Sequence, residues 1–190
     1  MPVDSRRLIA AAARRLLDGC DCDAETAIYQ AARELGLRDR ARLPPAALVI
    51  EAANAERRLF GGDRHHACLA ALRATAIEAM RFLAGFEPRL TGGVLEGWAG
   101  DGARVSIQLF TDDTESLQLR LAELGTQARI SSNRAGSSRI TEPHERLTFV
   151  AGSVPIDLCI YRVVDLRRRT TARDSRRATL AEVEGLVPRS

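Results

Sequence analysis

The hydrophobic period of this chain changes once, near residues 86–88, and that change limits the possible folds more than any other feature. Before it, apolar residues recur three or four apart, the spacing that lines one side of a helix. After Pro88 the apolar residues alternate or gather in short runs, separated by Gly, Asp and Asn, as strands and turns require. Helices gathered first and strands gathered later indicate the α+β class. The expected organisation is a helical N-terminal region over residues 1–85, then a mixed β-sheet with flanking helices over residues 86–190.

Within the first region, residues 4–18 place Leu8, Ala12 and Leu16 beside Ile9, Ala13 and Leu17, with Gly19 as a stop. Asp23 can cap a second helix through Ile28, Ala31, Ala32 and Leu35 that ends at Gly36. Pro44 and Pro45 open a third, with Leu48, Ala52, Ala55 and Leu59 on one face, because proline is tolerated in a first helical turn. Gly61 and Gly62 close it. Asp63 is the expected cap of a fourth helix carrying Leu69, Leu72, Ala76, Ala79 and Leu83 and ending near Gly85.

In the second region, Arg104, Ser106, Gln108 and Phe110 alternate with Val105, Ile107 and Leu109, a strand with one apolar and one largely polar face. Asp113 can cap a helix over Leu117, Leu121 and Leu124 that stops at Gly125. Residues 129–132, 147–151 and 154–163 read as further strands, and residues 133–138 as a mobile loop. Thr179 and Glu182 have the spacing of a capping box for a short last helix over residues 180–186. Residues 186–190 look like a protease-cleavage linker and carry no functional weight.

Composition sorts the function classes. At 190 residues with 45% apolar and 28% charged residues, the chain is long and apolar enough to fold into one or two domains. No run of about 18 apolar residues exists, and Arg6, Arg7, Arg14 and Arg15 interrupt the first helix, so neither a signal peptide nor a membrane span is expected. Cys20, Cys22, Cys68 and Cys159 are not spaced as a disulfide framework, which fits a cytoplasmic protein. All 28 basic residues are Arg. Without lysine, neither Schiff-base chemistry nor a Walker-A phosphate loop can operate. Cys20, Cys22, His65, His66 and Cys68 include zinc-ligand types, but not at the spacing of a ribbon or finger. The other reading is two loop cysteines and a helix with Cys68 on its apolar face.

The most informative stretch is residues 92–109, GGVLEGWAGDGARVSIQL. Gly92 and Gly93 are followed by twelve residues and then by Ser106, Ile107, Gln108 and Leu109. This resembles the signature of the nucleotidyltransferase superfamily, a Gly pair or Gly-Ser followed by a strand with two acidic residues, two residues apart, alternating with apolar ones. Ile156, Asp157 and Leu158 match the family's later strand with a third carboxylate. The resemblance extends to an uncharacterised bacterial family of nucleotidyltransferase-like proteins through FEPRL (residues 86–90) and RRATLAEVEGL (residues 176–186), and so covers nearly the whole chain. It implies a nucleotidyltransferase-like sheet, and magnesium with a nucleoside triphosphate if the protein is active. Two carboxylates two residues apart on a strand share a face and can hold a pair of magnesium ions. Those ions steady the triphosphate and the attacking and leaving oxygens, while the Gly pair lets backbone amides approach the phosphates. Here Ser106 and Gln108 occupy the two acidic positions, and Asp157 is the one expected carboxylate left. Asp101, Asp112 and Asp113 are the candidates for a displaced one.

The resulting expectation is a catalytically impaired nucleotidyltransferase-like protein that binds a nucleotide or other phosphate-bearing ligand, or serves as an interaction module. Gly92, Gly93, Trp98, Ser106 and Gln108 would line its pocket beside Asp157. An active transferase with an unusual metal site is the alternative. A third reading is contact with RNA or DNA through residues 162–177, where Arg162, Arg167, Arg168, Arg169, Arg173, Arg176 and Arg177 stand against Asp165 and Asp174. A solvated basic turn would look the same. Trp98 can stack on a base or anchor packing, and His144 with Glu145 can be an acid-base pair or part of a solvated loop.

Overall fold

A computed structural model describes residues 3–18, 23–37, 43–123, 129–131, 145–166 and 176–187. The chain is an α+β protein. Its helices α1 (Val3–Leu17), α2 (Ala24–Glu34), α3 (Ala46–Phe60) and α4 (Gly62–Phe82) come first, each close to where the hydrophobic period places it. Asp23 caps α2 by accepting from the Thr26 amide at 2.7 Å, satisfying a donor that the helix leaves unpaired. Pro45 is the N-cap of α3. Asp63 does not cap α4, contrary to expectation. A single residue, Gly61, separates α3 from α4 and serves both helices, so Asp63 falls in the first turn of α4, where its charge complements the helix dipole.

A 3-10 turn (Ala84–Phe86) leads into β1 (Arg89–Thr91), α5 (Gly92–Glu96), β2 (Val105–Phe110), α6 (Thr114–Ala122), β3 (Arg129–Ser131), β4 (Glu145–Ala151), β5 (Val154–Tyr161), α7 (Val163–Leu166) and α8 (Leu180–Glu184). The expected loop at 133–138 lies outside the described residues. Asp113 caps α6, and Thr179 with Glu182 completes the capping box of α8. The last expected strand stops at Tyr161, and Val163 begins a helical turn.

Among the described residues, five strands form one mixed sheet in the order β1-β2-β5-β4-β3. The central pair, β2 and β5, is parallel, and the other pairings are antiparallel. Ala178 bridges Leu90 and so extends the β1 edge.

Among the described residues, two apolar cores result. The first joins α1, α2 and α3 through Leu8, Leu16, Ile28 and Val49 among many alanines. The second joins the apolar sheet face, including Ile107, Leu109, Leu147, Ile156 and Leu158, to α4, α5, α6 and α8. The side chains of α4 therefore belong with the sheet, while residue 85 marks where helices give way to strands. Leu186 and Val187 pack against this second core. Among the described residues, no helix is long and apolar enough to cross a membrane.

Candidate functional site

The site grows from the end of β1. Gly92 has φ +73°, a left-handed conformation that suits glycine, and a Cβ built on it would lie 3.8 Å from the Ser106 side chain. Gly93 has a different task. A Cβ there would stand 2.8–2.9 Å from three atoms of the Trp98 ring, so the missing side chain makes room for the indole. Trp98 packs against the first core, and its carbonyl accepts from Arg57 Nε at 3.2 Å. Of its two expected roles, Trp98 therefore has the anchoring contacts. Gly97 closes α5, and its carbonyl faces His65 Nε2 at 3.0 Å.

Alternation along β2 sends Val105, Ile107 and Leu109 into the core and turns Ser106 and Gln108 to the opposite face. The strand β5 divides in the same way: Ile156, Leu158 and Ile160 are buried, and Asp157 lies between them on the other side. Register then brings the motif together. Thr91 pairs with Ser106, Ser106 with Asp157, and Asp157 with Thr148 of β4, so these four side chains cross the sheet in one row. Arg104 precedes Ser106 by two residues and shares its face. Gln108 pairs with Cys159, one step further along that face.

Asp157 is already engaged. Arg104 Nη1 donates to both its carboxylate oxygens, at 3.3 and 3.2 Å, and Thr148 Oγ1 donates to Oδ1 at 3.0 Å. The other end of the face is aromatic. Phe110 stacks on Tyr161 with centroids 5.6 Å apart, and the Arg177 guanidinium lies 5.2 Å from the Phe110 centroid. Gln108 Oε1 and Arg177 Nε are enclosed without a hydrogen-bond partner among the described residues.

On the other side of Gly92, a cleft of about 490 Å³ separates α2 and α3 from α5, lined by Glu51, Arg58, Glu96, Trp98 and Arg176 among others. Burial pushes the Glu96 carboxyl up, and the positive charge of Arg176 partly opposes the shift.

Magnesium, which the sequence resemblance implies for an active relative, does not fit this donor set. A hard divalent cation needs anionic oxygens, yet two of the three family positions carry a hydroxyl and an amide. The third, Asp157, has a guanidinium against both oxygens. Two of the displaced candidates are committed elsewhere. Hydrogen bonds from Cys68 and Arg64 hold Asp101 below the ordinary carboxylate range, with Arg64 Nη2 at 2.6 Å. Asp113 is held low by the Ser116 hydroxyl and amide that it caps. Asp112 is exposed.

The remaining candidates do not join this row. His65 and Cys68 lie on α4, and among the described residues no group of three or more His, Cys, Asp or Glu could hold a metal. Burial pushes the His65 imidazole down, and Arg57, His66 and Arg73 add to that, against a backbone hydrogen bond to Gly97 that raises it. Cys20, Cys22, His144, Arg167, Arg168, Arg169, Arg173 and Asp174 lie outside the described residues. Glu145 opens β4, paired with Ile160. Arg162 and Arg176 are exposed, and Arg176 reaches the cleft.

Two contributors escape a sequence reading. Arg104 was visible as a member of the polar face, but its partner stands 53 residues away. Thr148 gave no signal, because only the sheet register brings it to Asp157.

These features define an α+β protein with a polar sheet face, whose row of Thr91, Ser106, Asp157 and Thr148 begins beside a glycine turn. Comparison of the chain with protein-family models, with curated proteins and with solved structures gives no match.

Proposed function

We propose that this chain is a nucleotidyltransferase-like protein that binds a nucleotide or another phosphate-bearing ligand and does not perform ordinary two-metal transfer. The carrying observation is the row that joins the Gly92 turn to Ser106 and Asp157 at one end of the polar face. Three sequence segments that the motif separates widely meet there. The turn offers close backbone approach, and Arg104 offers a charge suited to phosphate. The engagement of Asp157 by Arg104 and Thr148 supports the non-catalytic half of the reading.

Isothermal titration with nucleoside mono-, di- and triphosphates, each with and without magnesium, tests it. Saturable binding of at least one nucleotide is expected, with magnesium changing the dissociation constant by less than about threefold. Absence of heat under every condition would remove the ligand half. Transfer of label from a nucleoside triphosphate, abolished in Asp157→Asn, would remove the non-catalytic half.

A further inference from the structure

The turn that ends α5 is held by its backbone carbonyls. Three in succession accept from side chains of α3 and α4: Glu96 from Asn54 Nδ2 at 2.9 Å, Gly97 from His65 Nε2 at 3.0 Å and Trp98 from Arg57 Nε at 3.2 Å. Two of these donors are indifferent to pH, since an amide is neutral and a guanidinium stays charged throughout the physiological range. His65 is different. A carbonyl only accepts, so Nε2 carries the hydrogen and Nδ1 is a bare acceptor. That Nδ1 is enclosed without a hydrogen-bond partner among the described residues, in a residue that is 8% exposed. The neutral ring tolerates this with one unpaired acceptor. An imidazolium does not, because its second N–H would be shut away from water with nothing to accept it.

The surroundings offer the charged ring little relief. Arg57 of α3 and His66 and Arg73 of α4 all add positive charge. The Gly97 carbonyl favours the imidazolium, but burial opposes it more strongly, and the Asp101 carboxylate beyond α5 is engaged by Cys68 and Arg64. We infer that His65 is a proton-operated latch on this turn: on taking up a proton the ring moves out to water, lets go of the Gly97 carbonyl and loosens the segment that seats Trp98 against the first core. Gly92, Glu96 and Trp98 line the cleft that faces α2 and α3, so acidification loosens that wall of the cleft. The Asn54 and Arg57 ties do not titrate, and they keep α5 attached while the turn opens. His65 is thus a positioning residue that acts through the turn. The inference does not depend on what the cleft or the Gly92 turn binds.

The test follows the three histidines and the one tryptophan of the full chain through a pH titration. Long-range proton–nitrogen NMR at pH 7.5, with the imidazoles assigned by His65→Gln and His66→Gln, should show the Nε2–H tautomer for His65. As the pH falls to 5, acrylamide quenching of Trp98 in the wild type should rise by about twofold or more through local opening. Its midpoint should lie below 6.5 and coincide with the titration of His65, while far-UV circular dichroism stays unchanged. His65→Gln, whose amide can donate to the same carbonyl but takes up no proton, should give a flat quenching profile. His66→Gln, which removes the exposed neighbouring ring, should keep the transition. An Nδ1–H tautomer, a His65 ring still neutral at pH 5, a titration of His65 without change at Trp98, the same profile in His65→Gln, or loss of helix signal at the same midpoint would each overturn the latch. Should His65→Gln fail to fold, the tautomer and the coincidence of the two wild-type midpoints decide the matter alone.

Discussion

Among single residues, Gly93 makes a structural demand that the one tryptophan can report. An alanine there would press its methyl into the Trp98 ring at under 3 Å, so the indole or the helix turn would have to shift. Gly93→Ala should therefore cost about 1–3 kcal/mol by overpacking. The chain has one tryptophan, so intrinsic fluorescence reports this site directly. A melting temperature and emission maximum both equal to wild type would refute the packing role. His65 gives a pH dependence. Burial lowers its folded-state pKa below the ordinary 6.5, so the unfolded chain binds the proton more readily. The stability contributed by neutral His65 is present above about pH 6.5 and is lost as acidification proceeds through the lower folded pKa. Chemical denaturation between pH 7.5 and 5 should show a steeper loss in wild type than in His65→Gln, and parallel curves would refute it. The legible and the hidden separate at this scale. Asp157 could be read from its apolar neighbours, and Arg104 from alternation, but their ion pair depends on register between distant strands.

At the scale of elements, caps are the cheapest features to test. Thr179 accepts from the Glu182 amide, while the Glu182 carboxylate accepts from the Thr179 amide at 2.7 Å. Thr179→Ala should cost about 1 kcal/mol, or about 2–4 °C in melting temperature for a chain of this size. Those bonds also hold the Glu182 carboxyl below its ordinary 4.5. Its contribution is complete above that value and fades as pH falls below it, so the difference between the variant and wild type should narrow in acid to what the Glu182 amide bond to Thr179 contributes. The four long helices and the α6 and α8 caps were legible because periodicity and capping are local. The short elements were not. β1 has three residues, too few to show a period, and α5 begins with two glycines of poor helix propensity. Burial of Val94 and Leu95 in the second core holds α5 in place, and that is a tertiary effect. Val163 reads as strand because it is β-branched, yet it falls in the turn of α7.

Across the whole molecule, the two cores differ in substance. The first buries mostly alanines with a few larger side chains, whereas the second buries mostly Leu, Ile, Val, Met and Phe. Less apolar area is withdrawn from water per residue in the first, so α1 and α2 should open before the sheet does. Native-state hydrogen exchange should show lower opening free energies for amides of α2 than for those of β2 and β5. Equal values would contradict it. Arg57 and Asn54 of α3 tie the first core to the segment around α5, Arg57 donating to the Leu17 carbonyl at 3.1 Å and to the Trp98 carbonyl at 3.2 Å, and Asn54 to the Glu96 carbonyl at 2.9 Å. Arg57→Ala should widen the exchange difference or split the calorimetric transition in two. The parallel pairing of β2 with β5 has a further consequence during synthesis. A growing polypeptide must complete α6, β3 and β4 before β2 receives the neighbour on its inner side. Until then a strand bearing Ile107, Leu109 and Phe110 emerges from the ribosome with one edge unsatisfied, and any stalled or truncated product ending before residue 154 would present that edge to aggregation or to chaperones.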